Sequence, residues 1–235
     1  MRTSSVLVTG GTGSLGAALC RRFRADGHVV VAADRSGAAT VPDVVHHHPL
    51  DVTDPASVEA CLDAAERLAP LSTVVLAHGV LLPAPGREAA GERMARTLEV
   101  NLAGAARVAA LAADRMPSGS IVFLSSHASR FGRMPGASVY SASKAGVEAL
   151  ARGLACEYAP RLRVNAVGVG FLETPMRGAG AEARAAASGD LLAQVPMGRY
   201  ATPDDVVEAV SYLASDRASY VTGTTLMVDG GVTAR

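Results

Sequence analysis

Short runs of β-branched and aliphatic residues alternate along this chain with Ala-rich stretches whose apolar positions recur at helical spacing. The runs predict strands at 5–9, 29–33, 44–49, 73–77, 120–124, 163–168 and 225–228. The stretches between them predict helices at 14–26, 55–69, 87–115, 139–158 and 203–213. Strands so continuously apolar suit a parallel sheet covered by helices on both faces, because neither face is left for polar side chains. The expected architecture is therefore α/β, a doubly wound, mostly seven-stranded parallel sheet. No low-complexity linker or composition shift interrupts the alternation, so 1–235 reads as a single domain. The least regular stretch, 171–197, is punctuated by Gly178, Gly180 and Gly189 and predicts a lid over a bound ligand, a plain surface loop being the alternative.

Composition narrows the partners. Lys plus Arg and Asp plus Glu both number 22, so no net field draws the molecule to nucleic acid or an anionic membrane, and the ligand has to be recognised locally. The longest apolar runs, such as 29–33, are too short to span a bilayer, and the N-terminus enters a strand pattern without a signal-peptide core, which reads as cytoplasmic. Cys20, Cys61 and Cys156 each fall in a predicted helix and are expected to be packing residues in a reducing compartment. His46, His47 and His48 lie on an extended segment, where consecutive side chains point to alternating faces, so no metal site is expected there.

The chemistry begins at "VTGGTGSLG", residues 8–16, between the first strand and the first helix. Gly11, Gly13 and Gly16 form a G-x-G-x-x-G in the setting that gives the motif its meaning: glycines let backbone N–H groups approach a pyrophosphate at a helix N-terminus. Asp34, at the end of the second strand, can accept hydrogen bonds from adenosine ribose hydroxyls and would repel a 2′-phosphate. NAD is thereby favoured over NADP, although the neighbouring Arg35 could pair with that phosphate if Asp34 turned aside.

Tyr140 and Lys144 in "YSASK" lie four apart and so share one helix face. A phenol is a weak base at neutral pH, but a nearby ammonium and a cationic nicotinamide both favour its anion. Such a tyrosine can take a proton from an alcohol, or give one to a ketone, as hydride moves. "IVFLSS" puts Ser125 or Ser126 at the carboxyl edge of the sheet, where a hydroxyl could hold the substrate oxygen.

Taken together these segments resemble the short-chain dehydrogenase/reductase family across nearly the whole length: the glycine turn at 9–16, "LDVTD" at 50–54, "EVNLAG" at 99–104, "FLSS" at 123–126, "YSASKAG" at 140–146, "RVNAVGVGFLETPM" at 163–176 and "VTGTTLMVDGGV" at 221–232. The resemblance implies a single-domain Rossmann fold and a secondary alcohol/ketone oxidoreductase, similar to the 3-oxoacyl-ACP reductases and, in its C-terminal tail, to the dihydro-dihydroxybenzoate dehydrogenases. It implies that Tyr140 is the catalytic acid/base, that Lys144 lowers its pKa and holds the nicotinamide ribose, and that Ser126 positions the substrate oxygen. Asn101 would hold a water linking Lys144 to solvent. Asp51 and the Val52 backbone would contact adenine, and Gly10 and Gly16 would flank the phosphates together with Thr12, Gly13, Ser14 and Leu15. Ala77, His78 and Gly79, then Gly170, Leu172 and Thr174, complete the implied cofactor surface. Members of the family are commonly tetramers, so a homotetramer or homodimer is expected.

Four departures from the family pattern stand out. Ser14 occupies the place of the second glycine in T-G-x-x-x-G-x-G, while Gly13 stands one place earlier. Leu76-Ala77-His78-Gly79 replaces Asn-Asn-Ala-Gly, so that His78 either faces the nicotinamide or packs, packing being preferred. Val169-Gly170 replaces Pro-Gly, and the separation from Ser126 to Tyr140 is one residue longer than usual; choosing Ser125 would lengthen it further. Substrate choice is expected at His127, Arg130, Arg133 and Met134 after the fifth strand, at Phe171, and at Leu191 and Leu192 in the lid. Arg130 or Arg133 could pair with a substrate carboxylate, but simple solvation is the preferred reading for an arginine in a loop. The competing functions are an NADPH-dependent ketoreductase for acyl or polyketide-like substrates and a dinucleotide-binding regulatory protein without turnover.

Overall fold

Seven strands run parallel in one sheet: β1 (Ser5–Thr9), β2 (Val29–Asp34), β3 (His46–Pro49), β4 (Leu71–Leu76), β5 (Gly119–Ser126), β6 (Leu162–Val169) and β7 (Thr225–Val228). Their spatial order is β3-β2-β1-β4-β5-β6-β7. The helices are α1 (Ser14–Ala25), α2 (Pro55–Leu68), α3 (Glu92–Leu98), α4 (Gly104–Arg115), α5 (Ser138–Tyr158) and α6 (Pro203–Ala214). This computed structural model describes residues 4–35, 46–87, 91–131, 136–173 and 191–234. Strand order reverses direction between β1 and β4, and the carboxyl ends of these two strands open a crevice of the kind in which doubly wound sheets bind ligands.

The alternation of side chains along each strand divides the core into two layers. Leu7, Val74, Ile121, Phe123 and Val164 point towards α2, α4 and α5, whereas Val6, Val8, Val75, Val122 and Val167 point towards α1 and α6. Both layers are apolar, which explains why the strands read as unbroken hydrophobic runs. Phe123 is fully buried in the first layer, and truncating it to alanine would cost about 3–5 kcal/mol.

Local chemistry starts the helices where the chain leaves the sheet. Asp54 caps α2 by accepting from the Ala56 N–H at 3.0 Å, with Pro55 in the first turn. Thr202 and Asp205 form a reciprocal capping box on α6. Gly13 precedes α1 and offers no side-chain cap, so the N-terminal N–H groups of that helix remain for another acceptor.

Two expectations change. The helix predicted over 87–115 is divided by a π turn, Glu99–Ala103, and the Asn101 side chain inside it bonds the backbone N–H and carbonyl of Val80. Residues 88–90 lie outside the described residues, as do 44 and 45 at the start of the third predicted strand. Cys20 and Cys61 are buried as expected, but Cys156 is exposed, since it falls on the outer face of α5. No group of histidines, cysteines and carboxylates among the described residues is arranged to hold a metal ion. Nor does any helix among them have the length and apolarity to cross a membrane.

Candidate active site

The turn after β1 is shaped by contact between its own glycines. Gly10 has a φ of +68°, and a Cβ there would lie 2.8 Å from the His78 amide nitrogen. A Cβ on Gly16 would collide with the Gly10 carbonyl oxygen, and one on Gly11 would sit 2.8 Å from the Cα of Ala32. Gly13 is different: it is exposed, and a Cβ there meets nothing nearer than 3.4 Å. The sterically required glycines are thus Gly10, Gly11 and Gly16, and Ser14 is tolerated because it opens α1 on the exposed side. Leu15 turns its side chain into the α1/α6 layer.

Beside this turn lies a cleft of about 320 Å³ bordered by Gly10, Gly13, Asp34, Arg35, Asp51, Val52, Ala77, His78, Gly79 and Arg96. Thr12 Oγ1 donates to Asp34 Oδ2 at 2.5 Å, and the Arg35 N–H donates to Oδ1 at 2.7 Å, so the carboxylate is fixed at the mouth of the cleft. Asp51 Oδ1 accepts from both the hydroxyl (2.7 Å) and the N–H (2.9 Å) of Thr53, and these bonds hold its pKa below the usual carboxylate range, helped by Arg96 and Arg35. The Val52 carbonyl oxygen is taken by Arg107 Nη1 at 2.6 Å. His78 is half-buried, with Nδ1 2.6 Å from Thr9 Oγ1, so it packs against β1 while also lining the cleft. Burial first, and the Lys144 charge second, lower its pKa to about 4, which keeps the imidazole neutral.

At the carboxyl end of β5 the two serines separate. Ser125 Oγ points under α5, within hydrogen-bonding distance of the Lys144 carbonyl oxygen at 3.1 Å and Glu148 Oε1 at 2.9 Å. Ser126 Oγ accepts from the Ala128 N–H at 3.2 Å and is the hydroxyl partner of the Tyr140 phenol. The structure therefore places Ser126, not Ser125, beside Tyr140. Burial raises the phenol's pKa, and the Ser126 hydrogen bond opposes that rise. This differs from the direction expected of a neighbouring ammonium. The reason is geometric: Lys144 Nζ donates to the Leu124 carbonyl oxygen at 2.7 Å and lies 6.0 Å from the centre of the Tyr140 ring. Burial also lowers the Lys144 pKa to about 8.

Asn101 Nδ2 donates to the Val80 carbonyl at 2.9 Å and to Ser143 Oγ at 3.2 Å, while Oδ1 accepts from the Val80 N–H at 2.8 Å. A Cβ at Gly79 would come within 3.3 Å of Asn101 Oδ1 and 3.5 Å of Lys144 Nζ, so both atoms border the space over that glycine.

The remaining candidates are dispersed. His127 is buried, its Nδ1–H directed at the Val169 carbonyl 3.1 Å away and its ring centre 4.4 Å from that of Phe171. It packs against Phe171 and is not an exposed contact. Arg130, for which solvation was expected over a substrate carboxylate, pairs with Glu148 at 3.3 Å. Gly170 packs so closely that a Cβ would lie 2.6 Å from the Asp229 Cα, and Leu172 bridges to Ala201 and packs on the α1/α6 layer. Arg133, Met134 and Thr174, with most of the expected lid, lie outside the described residues; Leu191 and Leu192 sit at the edge of the described part.

Sequence reasoning missed Arg96 and Glu148. Arg96 lines the cleft one turn before Val100, a spacing that puts both on one helix face. Glu148 is a carboxylate at a buried position one turn beyond Lys144.

Comparison with known proteins finds relatives along nearly the whole chain. A family model described as Enoyl-(Acyl carrier protein) reductase matches residues 10–233. The chain is 38% identical, over 99% of its own length and 95% of the relative's, to 3beta-hydroxysteroid dehydrogenase 1 of Eggerthella lenta. It is 40% identical, over 97% and 96%, to cis-4-hydroxycyclohexanecarboxylate dehydrogenase of Sinomonas cyclohexanicum. The ligand-free aldohexose dehydrogenase of Thermoplasma acidophilum superposes with a TM-score of 0.87 at 31% identity, covering 100% of this chain and 95% of that one.

Proposed function

Because the chain belongs to the short-chain dehydrogenase/reductase family and is an alcohol/ketone oxidoreductase, we propose that it works through Tyr140 as acid/base and favours NAD. The observation that carries this reading is the convergence of Ser126, Tyr140 and Lys144 where β5 ends against α5.

The cleft fits a nicotinamide dinucleotide: its glycine floor is closed to any Cβ at Gly10 or Gly16, and Asp34 stands fixed at its rim. Gly10 and the first N–H groups of α1 would hold the pyrophosphate, with Asp34 on the adenosine ribose and Asp51 near adenine. When bound, the cofactor accepts or supplies the hydride. Tyr140 takes the alcohol proton at its phenolic oxygen in one direction and returns it to the ketone oxygen in the other. Ser126 has one hydroxyl proton, which favours the phenolate while the site is empty and turns to the substrate oxygen when substrate is bound. Lys144 would hold the nicotinamide ribose, and its ammonium, with a pKa near 8, can pass a proton outward through the space over Gly79 that Asn101 Oδ1 also borders.

Arg35 and Arg96 on the same cleft support a second reading, an NADPH-dependent ketoreductase. A homodimer or homotetramer would use the apolar groove lined by Leu98, Leu102, Ala106, Gly146 and Leu150. Native mass spectrometry showing monomer alone would remove that assembly.

The test follows nicotinamide absorbance over a panel of secondary alcohols, cyclic dihydrodiols and ketones, with each cofactor in turn. Turnover is expected with NAD, and Tyr140→Phe is expected to lower kcat by about 10²–10⁴ while leaving cofactor affinity intact. A Tyr140→Phe enzyme with normal kcat would overturn the mechanism.

A further inference from the structure

We propose that Glu148 is a positioning residue, whose buried carboxylate clamps the end of β5 and the turn after it so that the Ser126 hydroxyl stays on Tyr140. The inference deepens the roles given above to Ser126 and Tyr140 and rests on them.

Tyr140, Lys144 and Glu148 occupy positions i, i+4 and i+8 of α5, a single stripe facing β5. Glu148 is only 5% exposed. A carboxylate buried to that degree costs several kcal/mol in desolvation unless it is well paired, and an apolar residue of similar volume would pack there at lower cost. What the charge gains is a set of partners on both sides of Ser126. Ser125 Oγ lies 2.9 Å from Oε1, and Ser129 Oγ lies 2.5 Å from the same oxygen. Arg130 Nη2 reaches Oε2 at 3.3 Å.

These partners precede Ser126 by one residue and follow it by three and four. Ser129 Oγ is also 2.7 Å from the Ser126 carbonyl oxygen, and the Ala128 N–H donates to Ser126 Oγ. Ser129, its one proton shared between Glu148 and the Ser126 carbonyl, ties the carboxylate to the Ser126 backbone, and the turn so held carries the Ala128 N–H that fixes Ser126 Oγ. Without the clamp, the turn His127–Ser129 has no charged anchor on α5, and the hydroxyl that favours the phenolate loses its fixed direction. Among the described residues, the charged groups around this unit are Arg130 on the turn and Lys144 on α5, with His127 on the turn, its pKa lowered by burial, and neutral His78 beyond Lys144.

The test reads the Tyr140 phenol directly, by ultraviolet difference titration of the full chain, with Tyr140→Phe assigning the signal. Glu148→Leu should raise the Tyr140 midpoint by about half to one pH unit and lower kcat about tenfold, with cofactor affinity unchanged. Glu148→Gln keeps a carbonyl acceptor for both serines and should restore most of the midpoint. In a Ser126→Ala background, Glu148→Leu should add no further shift, because the clamp acts through that hydroxyl. A merely structural carboxylate would lower the melting temperature and leave the midpoint in place, which would overturn the proposal. So would a shift of equal size with Ser126 absent. If Glu148→Leu does not fold, Ser129→Ala cuts one arm of the clamp at a less buried site; a smaller upward shift supports the proposal and an unmoved midpoint overturns it. Absence of turnover in the wild type would count against the proposed function, while the titration would still decide the clamp.

Discussion

Lys144 Nζ donates to the Leu124 carbonyl oxygen at 2.7 Å, which secures the ammonium to the end of β5 instead of pairing it with the Tyr140 phenol. The ammonium is buried with a neutral partner, and its pKa falls to about 8.

That shift makes stability depend on pH in a particular direction. Below about pH 8 both folded and unfolded chains carry the proton, and the folded state bears the whole cost of burying it. Between about 8 and about 10.4 the unfolded lysine binds more protons than the folded one, so this group's contribution to stability rises with pH. Cys20 and Cys61, with thiols pushed up to about 12 by burial, act in the opposite sense once unfolded thiols ionise. Comparing wild type with Lys144→Met cancels the cysteines. Urea unfolding at pH 7 and pH 10 should show the difference moving in favour of wild type by about 1–3 kcal/mol as pH rises. A constant difference would mean that Lys144 is not desolvated.

The glycine turn gives a sharper contrast. Gly16→Ala drives a Cβ into the Gly10 carbonyl, a backbone atom that cannot step aside without moving the turn. A loss of about 1–3 kcal/mol in stability and of most cofactor affinity is expected. Gly13→Ala meets nothing nearer than 3.4 Å and should fold with wild-type stability. Thermal unfolding together with cofactor titration of the two variants separates these outcomes, and similar behaviour would contradict the packing described.

That contrast marks the limit of what the sequence discloses. The strands were legible because both faces of a parallel sheet demand apolar residues, and Asp34 because it follows the second such run. Motif spacing did not show which glycines carry the steric load, since Gly10 and Gly16 touch only after α1 has turned back over β1. The choice of Ser126 over Ser125 became geometric once α5 was seen to take Ser125. Glu148 was invisible because a glutamate on a helix reads as solvent-facing, and only the packing of α5 against β5 buries it. The π turn at Asn101 likewise depends on Val80, which is 21 residues away.

The cysteines, expected to share one role, divide into two. Cys20 is 1% exposed and Cys61 fully buried, whereas Cys156 is exposed. A thiol reagent under native conditions should modify one cysteine per chain rapidly and all three only after denaturation. Cys156→Ser should abolish the fast phase and leave folding intact. Two fast equivalents would mean that one of the buried helical faces opens.

Cofactor choice turns on a carboxylate already held in place. Thr12 Oγ1 and the Arg35 N–H each occupy one oxygen of Asp34, which leaves acceptor sites for two ribose hydroxyls and a fixed negative charge against a 2′-phosphate. Asp34→Ala removes the repulsion while Arg35 and Arg96 remain on the cleft to attract that phosphate. The ratio of kcat/KM for NAD to that for NADP should fall about hundredfold. Part of this change should fade at high ionic strength, because the guanidiniums act partly through water. Thr12→Val leaves the charge but frees it to rotate, so NAD should weaken about fivefold with little gain for NADP. If instead the ratio were unmoved in Asp34→Ala, discrimination would have to come from elsewhere on the cleft, and the preference for NAD would lose its physical basis.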